Sequence, residues 1–310
     1  MKKICILLIS AILTLTLTAC TAQRDSGKLK IVTTIFPQYD FTSRIAGNRA
    51  EVTMLLPFGS ESHTYDPSIK DMTAVSDADM FVYTGKQMEM WAATLLENAE
   101  GENTRVLDLS NGITLLDGTS DHTHHGEESN HTHDYDPHIW TSPKNAILMA
   151  DAILEALCEI DPEGREYYTE NTESLKKDLT DLDKKLTELS ENHSGKTVYF
   201  GGRFAFLYMF SDYGFGSESA YKGCSEESEP SIKTISELTE KIKNDGVKYI
   251  FTEEMSESKV AKSIADETGA TLLVLHSCHN LSRDEALAGE NYISLMNKNI
   301  ANLKLALENK

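Results

Sequence analysis

The stretch EGREYYTENTESLKKDLTDLDKKLTELSEN, residues 163–192, sets the organisation of the chain. Within it Tyr168, Leu175, Leu179, Leu182, Leu186 and Leu189 recur at spacings of seven, four, three, four and three. That period lines up side chains along one stripe of an α-helix. At 1.5 Å per residue such a segment makes a rod of roughly 45 Å, long enough to run behind two domains. A coiled-coil dimer would use the same pattern, but the heptads are few and flanked by globular sequence. The stripe is therefore expected to pack inside a monomer.

On both sides of this helix short β-branched runs alternate with helical periods. The amino-terminal side reads as strands near 29–36, 51–57, 80–85 and 104–109, with helices near 39–46, 68–78 and 88–99. The carboxy-terminal side repeats the order, with strands near 196–201, 217–222, 247–253 and 271–275 and helices near 205–212, 232–244, 258–268 and 291–307. This alternation predicts an α/β protein of two (β/α) lobes, each with a four-stranded parallel sheet. The expected boundaries are 28–160 for the first lobe, 161–193 for the linking helix and 194–310 for the second lobe, and 310 residues suffice for two such units.

Composition narrows the partners. Hydrophobic residues make up 40% and charged residues 25%, as in a water-soluble globular chain, and the net charge is −20. Binding to nucleic acid needs Lys and Arg to displace counterions from phosphates, so that class is excluded. At the amino terminus Lys2 and Lys3 precede an apolar run from Ile4 to Leu17 that is too short to span a bilayer. Residues 1–19 read as an export signal, with 20–27 as a tether. Leu17-Thr18-Ala19-Cys20 resembles a lipobox, which would place acyl chains on Cys20 and hold the protein on the outer face of the cell membrane.

Beyond Cys20 the chain keeps Cys158, Cys224 and Cys278. An odd number permits at most one internal disulfide. Cys158 falls on the apolar face of a predicted helix, which leaves Cys224 and Cys278 as the possible pair.

Ligands of parallel α/β lobes bind at the carboxyl ends of strands, and three loops there hold unusual residues. GSESHTYDPS (59–68) places His63 before Pro67, DYDPHIWTSP (134–143) places His138 directly after Pro137, and LLVLHSCHN (272–280) holds His276 and His279. Proline fixes local backbone angles and so helps to hold an imidazole in position. Singly, each histidine is more often a hydrogen-bonded structural residue; together they point to a site. A fourth stretch, DHTHHGEESNHTHD (121–134), has little apolar content and reads as a loop. Its His122, His124, His125, His131 and His133 suit weak, auxiliary cation binding, because the loop must be ordered on binding.

Taken together, HTYDP, DPHIW, the histidine-rich loop, the long helix, EPS at 229–231 and the lipobox resemble the zinc and manganese solute-binding lipoproteins of bacterial ABC importers. The resemblance implies one metal held in a cleft between the lobes and passed to a membrane permease, with His63 and His138 as ligands from the first lobe. It also marks two departures. In RFAFLY (203–208), Arg203 stands where the family places its third donor, and a guanidinium has no lone pair to give. His276 stands where the family has a carboxylate after the last strand. The implied shell is His63, His138 and His276, with a fourth position for water, Cys224, Glu226, Glu229 or His279, while Arg203 pairs with Glu227 or Glu229. Three imidazoles favour zinc over manganese.

Two other classes remain to be weighed. A zinc hydrolase would need a general base beside an open metal position, a role for Glu254, but no HExxH, GxSxG or GxGxxG stretch is present. Members of the resembling family have been linked to attachment, yet no stretch of this sequence marks a protein-binding surface. The expectation is a binding protein, not an enzyme.

Overall fold

A computed structural model describes residues 27–99, 104–118, 135–193, 195–221, 230–256 and 258–309. The export signal 1–19, Cys20, the five histidines of 121–134, Cys224, Glu226, Glu227 and Glu229 lie outside the described residues.

The first lobe follows the order β1 (Leu29–Thr33), α1 (Phe36–Ala46), β2 (Ala50–Met54), α2 (Ile69–Ser76), β3 (Met80–Tyr83), α3 (Ala92–Ala99), β4 (Arg105–Asp108) and α4 (Pro143–Ile160). Its four strands lie parallel in the order β2-β1-β3-β4. Pairing runs from Leu29↔Ala50 to Thr33↔Met54 on one side of β1 and from Ile31↔Met80 on the other. After the linking helix α5 (Arg165–Asn192) come β5 (Thr197–Phe200), α6 (Leu207–Tyr213), β6 (Gly216–Ser219), α7 (Ile232–Asn244), β7 (Tyr249–Thr252), α8 (Lys259–Thr268), β8 (Thr271–Val274), α9 (Arg283–Ala288) and α10 (Tyr292–Glu308). The second sheet is again parallel and four-stranded, in the order β6-β5-β7-β8. Two four-stranded α/β lobes are thus present, as the alternation predicts.

The linking helix buries Tyr168, Leu175, Leu179, Leu182, Leu186 and Leu189, together with Thr172. These side chains join one continuous core with α1 and α4 of the first lobe and α6 and α10 of the second. A buried leucine contributes about 1.5–3 kcal/mol, so the stripe fastens both lobes to one rod. Cys158 is buried on α4 among that core, as its helical register requires.

Local chemistry moves two boundaries. The first strand stops at Thr33, because Pro37 occupies the first turn of α1 and Gln38 Oε1 accepts the Ile35 amide at 2.9 Å. Proline suits a helix start, where its missing N–H has no partner to lose. After β5, Gly201 and Gly202 carry the chain across its neighbours: a Cβ on Gly201 would lie 2.6 Å from Ala261 Cα, and one on Gly202 2.9 Å from Thr252 Oγ1. Only glycine permits that approach, and Arg203 follows it into the space between the lobes. Among the described residues no helix is long and apolar enough to cross a membrane.

Candidate metal centre between the lobes

A cavity of about 240 Å³ opens between the carboxyl ends of the two sheets. Glu61, His63 and His138 line it from the first lobe, and Arg203, Glu253, Glu254, Ser277 and His279 from the second.

His63 sits in the loop after β2. Its backbone amide donates to Glu61 Oε1 at 3.2 Å, and the residue before it is held by Trp91, whose Nε1 donates to Ser62 O at 2.9 Å. Trp91 itself stacks edge-on against Tyr65, with ring centroids 5.0 Å apart. His138 is 2% exposed and lies 5.7 Å from His63 between ring centroids. Asp136 Oδ1 accepts both the His138 amide at 2.9 Å and its ring Nδ1 at 3.0 Å. A neutral ring that donates through Nδ1 carries its lone pair on Nε2, the arrangement used by metal-binding histidines with a carboxylate behind them.

The second lobe repeats this device. His279 Nδ1 lies 3.0 Å from Glu254 Oε1 and 2.6 Å from Ser277 Oγ, while Glu254 also accepts Ser277 N at 2.7 Å and Ser277 Oγ at 2.6 Å. Nε2 of His279 is buried without a hydrogen-bond partner in the structure. A buried polar atom left unpaired costs about 1–3 kcal/mol, and Nε2 of His276 is in the same state. Burial alone would raise the pKa of Glu254, but His276, with hydrogen bonds from His279 and Ser277, outweighs it and holds the carboxyl well below the usual range. Burial also opposes protonation of His279, yet Glu254 and Glu61 leave its pKa above the ordinary value. Glu253 is pushed up to about 7, by burial first and by the adjacent Glu254 charge second, with Arg203 and His279 opposing.

His276 is placed differently from the sequence expectation. Its Nδ1 accepts the Cys278 amide at 2.9 Å, its Nε2 lies 3.4 Å from Glu285 Oε1, and Asn299 brackets its backbone with two bonds of 2.7 Å. It is 5% exposed and does not line the cavity; His279 does. Between them Cys278 adopts φ +62°, the left-handed region that non-glycine residues seldom enter. That turn sends the two imidazoles in different directions. Of the possible pair Cys224 and Cys278, Cys224 lies outside the described residues; Cys278 is fully buried, with its Sγ 3.5 Å from His276 O. Arg203 faces Glu253, whereas its expected partners lie outside the described residues.

Asp136 and Glu61, which sequence reasoning did not assign to the site, and Glu254, which it weighed only as a hydrolase's general base, form the carboxylate layer around the imidazoles. An acid two residues ahead of a histidine, as in Glu61-Ser62-His63 and Asp136-Pro137-His138, is the signal that marks two of them. Glu254 has no such local mark; only the fold brings it under His279. Among the described residues no three His, Cys, Asp or Glu side chains are gathered at metal-holding separation.

Known proteins share this arrangement of lobes. Residues 31–306 match the ZnuA family, described as zinc-uptake complex component A, periplasmic. The zinc-binding lipoprotein AdcA of Streptococcus pneumoniae is 37% identical over 309 residues, which is 98% of this chain but 61% of AdcA, so the chain spans under two thirds of that relative's length. The high-affinity zinc uptake system protein ZnuA of Bacillus subtilis is 34% identical, across 93% of this chain and 90% of that protein. The crystal structure of the Zn(II)-bound ZnuA-like domain of Streptococcus pneumoniae AdcA superposes with a TM-score of 0.77 at 33% identity, covering 91% of this chain and all of that domain. With the family match running through both lobes and the linking helix, the chain belongs to the ZnuA family of zinc-uptake components.

Proposed function

We propose that this protein captures a zinc ion in the inter-lobe cavity through His63, His138 and His279 and releases it to the permease of an ABC importer. The observation that carries the reading is the place of His279, its Nδ1 held by Glu254, on the wall of the same cavity as the two first-lobe imidazoles. The fourth donor is water or a flanking carboxylate of Glu61 or Glu253. Binding draws these groups inward, since zinc holds nitrogen at roughly 2.0–2.1 Å. An all-imidazole core selects zinc over manganese, which prefers oxygen.

Residues 1–19 act as the export signal and Cys20 as the lipid anchor, which keeps the binding lobes in front of the permease outside the membrane. Exposed Ile69 and Ile232, each the first residue of a helix that follows a strand end, offer apolar contacts for that permease. The histidines of 121–134 serve as a sampling loop of low affinity. No catalytic role is assigned to Glu254, whose carboxylate is taken up by the Ser277 amide, the Ser277 hydroxyl and the His279 ring.

Calorimetry on metal-free protein lacking residues 122–133 tests the reading. One zinc per chain should bind tightly, with manganese at least tenfold weaker, about 1.4 kcal/mol. Loss of all tight zinc binding on that deletion, or a preference for manganese, would overturn it.

A further inference from the structure

The loop that carries His279 belongs to the second lobe, but its latter half is sewn to the first. Asn280 is fully buried, and its Nδ2 donates to Pro57 O and to Ser60 O, each at 2.8 Å. Its Oδ1 accepts the Leu281 amide at 2.8 Å, so all the amide's polar atoms are engaged. Beside it Gly59 N donates to Leu281 O at 2.8 Å, and Phe36 N donates to His279 O at 3.2 Å. Residues 57–60 form the turn that leads directly into His63. The other first-lobe loop is tied as well, since Trp140 Nε1 donates to Ser277 O at 2.7 Å, two residues beyond His138.

These bonds cross between lobes that the chain joins through α5, far from the cavity mouth. A side-chain amide presents its two hydrogens in a fixed planar fork, so it bridges two carbonyls only at one separation. Asn280 is next in sequence to His279, and the carbonyls it bridges lie three and six residues before His63. The amide therefore ties together the loop that carries His63 and the loop that carries His279.

We propose that Asn280 is a positioning residue that sets the separation of His63 from His279 before metal arrives. This rests on the reading of His63, His138 and His279 as donors. An amide that only filled a polar gap would affect stability alone; a clamp also governs the geometry of the bound ion. Removing it takes the side-chain donor from Ser60 O and leaves Pro57 O only the Ser60 amide, and so lets the His63 turn drift from the His279 loop. Preorganisation of this kind raises affinity by reducing what must be ordered on binding.

The experiment compares the parent with Asn280→Ala in three readouts. Zinc affinity by competition with a chelating dye should fall at least tenfold. The visible absorption of the cobalt-substituted protein, which reports coordination geometry, should change in energy or intensity, while the far-ultraviolet circular dichroism stays that of the parent. In the metal-free parent the Gly59 amide should exchange with solvent as slowly as amides of the sheets, and this arm needs no variant to fold. Parent-like zinc affinity and cobalt spectrum in Asn280→Ala, or rapid exchange of Gly59 in the metal-free parent, would overturn the clamp. His279→Ala, measured alongside, separates the two ideas: tight zinc binding retained there removes the donor assignment, while Gly59 exchange still judges the clamp.

Discussion

In the first lobe the cavity wall is built from two imidazoles and one carboxylate, His63, His138 and Glu61, whereas the second lobe supplies Arg203, Glu253, Glu254 and His279. Both lobes fix a histidine by a carboxylate 3.0 Å from Nδ1, Asp136 in one case and Glu254 in the other. The surroundings differ. Asp136 and His138 are neighbours in one proline-stiffened loop, so their geometry is set locally. Glu254 reaches His279 from another strand, with His276, Ser277 and Glu253 around it, so its geometry depends on how the second lobe packs. The first lobe thus holds its cavity histidine by local geometry, and the second holds its own among neighbouring charges.

Cutting the two carboxylate supports in turn should break the symmetry. Glu254→Gln puts an amide N–H or a weaker acceptor where His279 Nδ1 donates and disturbs both Ser277 bonds, so zinc affinity should fall roughly 10–100-fold. Asp136→Asn should cost less, about tenfold, because the amide oxygen can still accept from the His138 backbone and ring. Calorimetry of both variants decides the matter: equal losses, or a larger loss for Asp136→Asn, would contradict this difference between the lobes.

A smaller effect concerns pH and joins the lobes. Burial pushes Asp40 up to about 6 and Glu89 up to about 7 in the first lobe, and Glu253 to about 7 in the second. A carboxyl with a raised folded-state pKa contributes stability that is fully present below its unfolded value and lost as pH rises through the raised one. The metal-free protein should therefore melt a few degrees higher near about pH 5.5 than near about pH 8. Below about pH 4 the trend reverses, because Glu285, held down to about 2 chiefly by its hydrogen bond to His276, and Glu254 lose their contribution as they protonate. The zinc-loaded form should behave oppositely above about pH 5, since protons compete for the imidazoles. A metal-free melting temperature that climbs steadily to about pH 8 would contradict the assignment of these buried acids.

The α-helical stripe of 163–192 and the repeated strand–helix alternation were legible because both are periodic and each period has one physical cause. That His63 and His138 come together was legible because prolines bracket them in loops after predicted elements. Which second-lobe histidine lines the same cavity was not. His276 and His279 stand three apart in one loop, and only the left-handed backbone at Cys278 decides which faces the cavity. Nothing in residue type announces that turn, since a cysteine at positive φ breaks the usual preference for glycine or asparagine. Asn280 was hidden for a related reason: its partners, Pro57 and Ser60, lie more than two hundred residues away in sequence.

The most direct measurement is X-ray absorption on zinc-loaded protein lacking residues 122–133, repeated with His276→Ala and with His279→Ala. Three imidazole nitrogens at roughly 2.0 Å are predicted for the deletion parent and for His276→Ala, and two for His279→Ala. Loss of an imidazole with His276→Ala while His279→Ala keeps all three would contradict the site described.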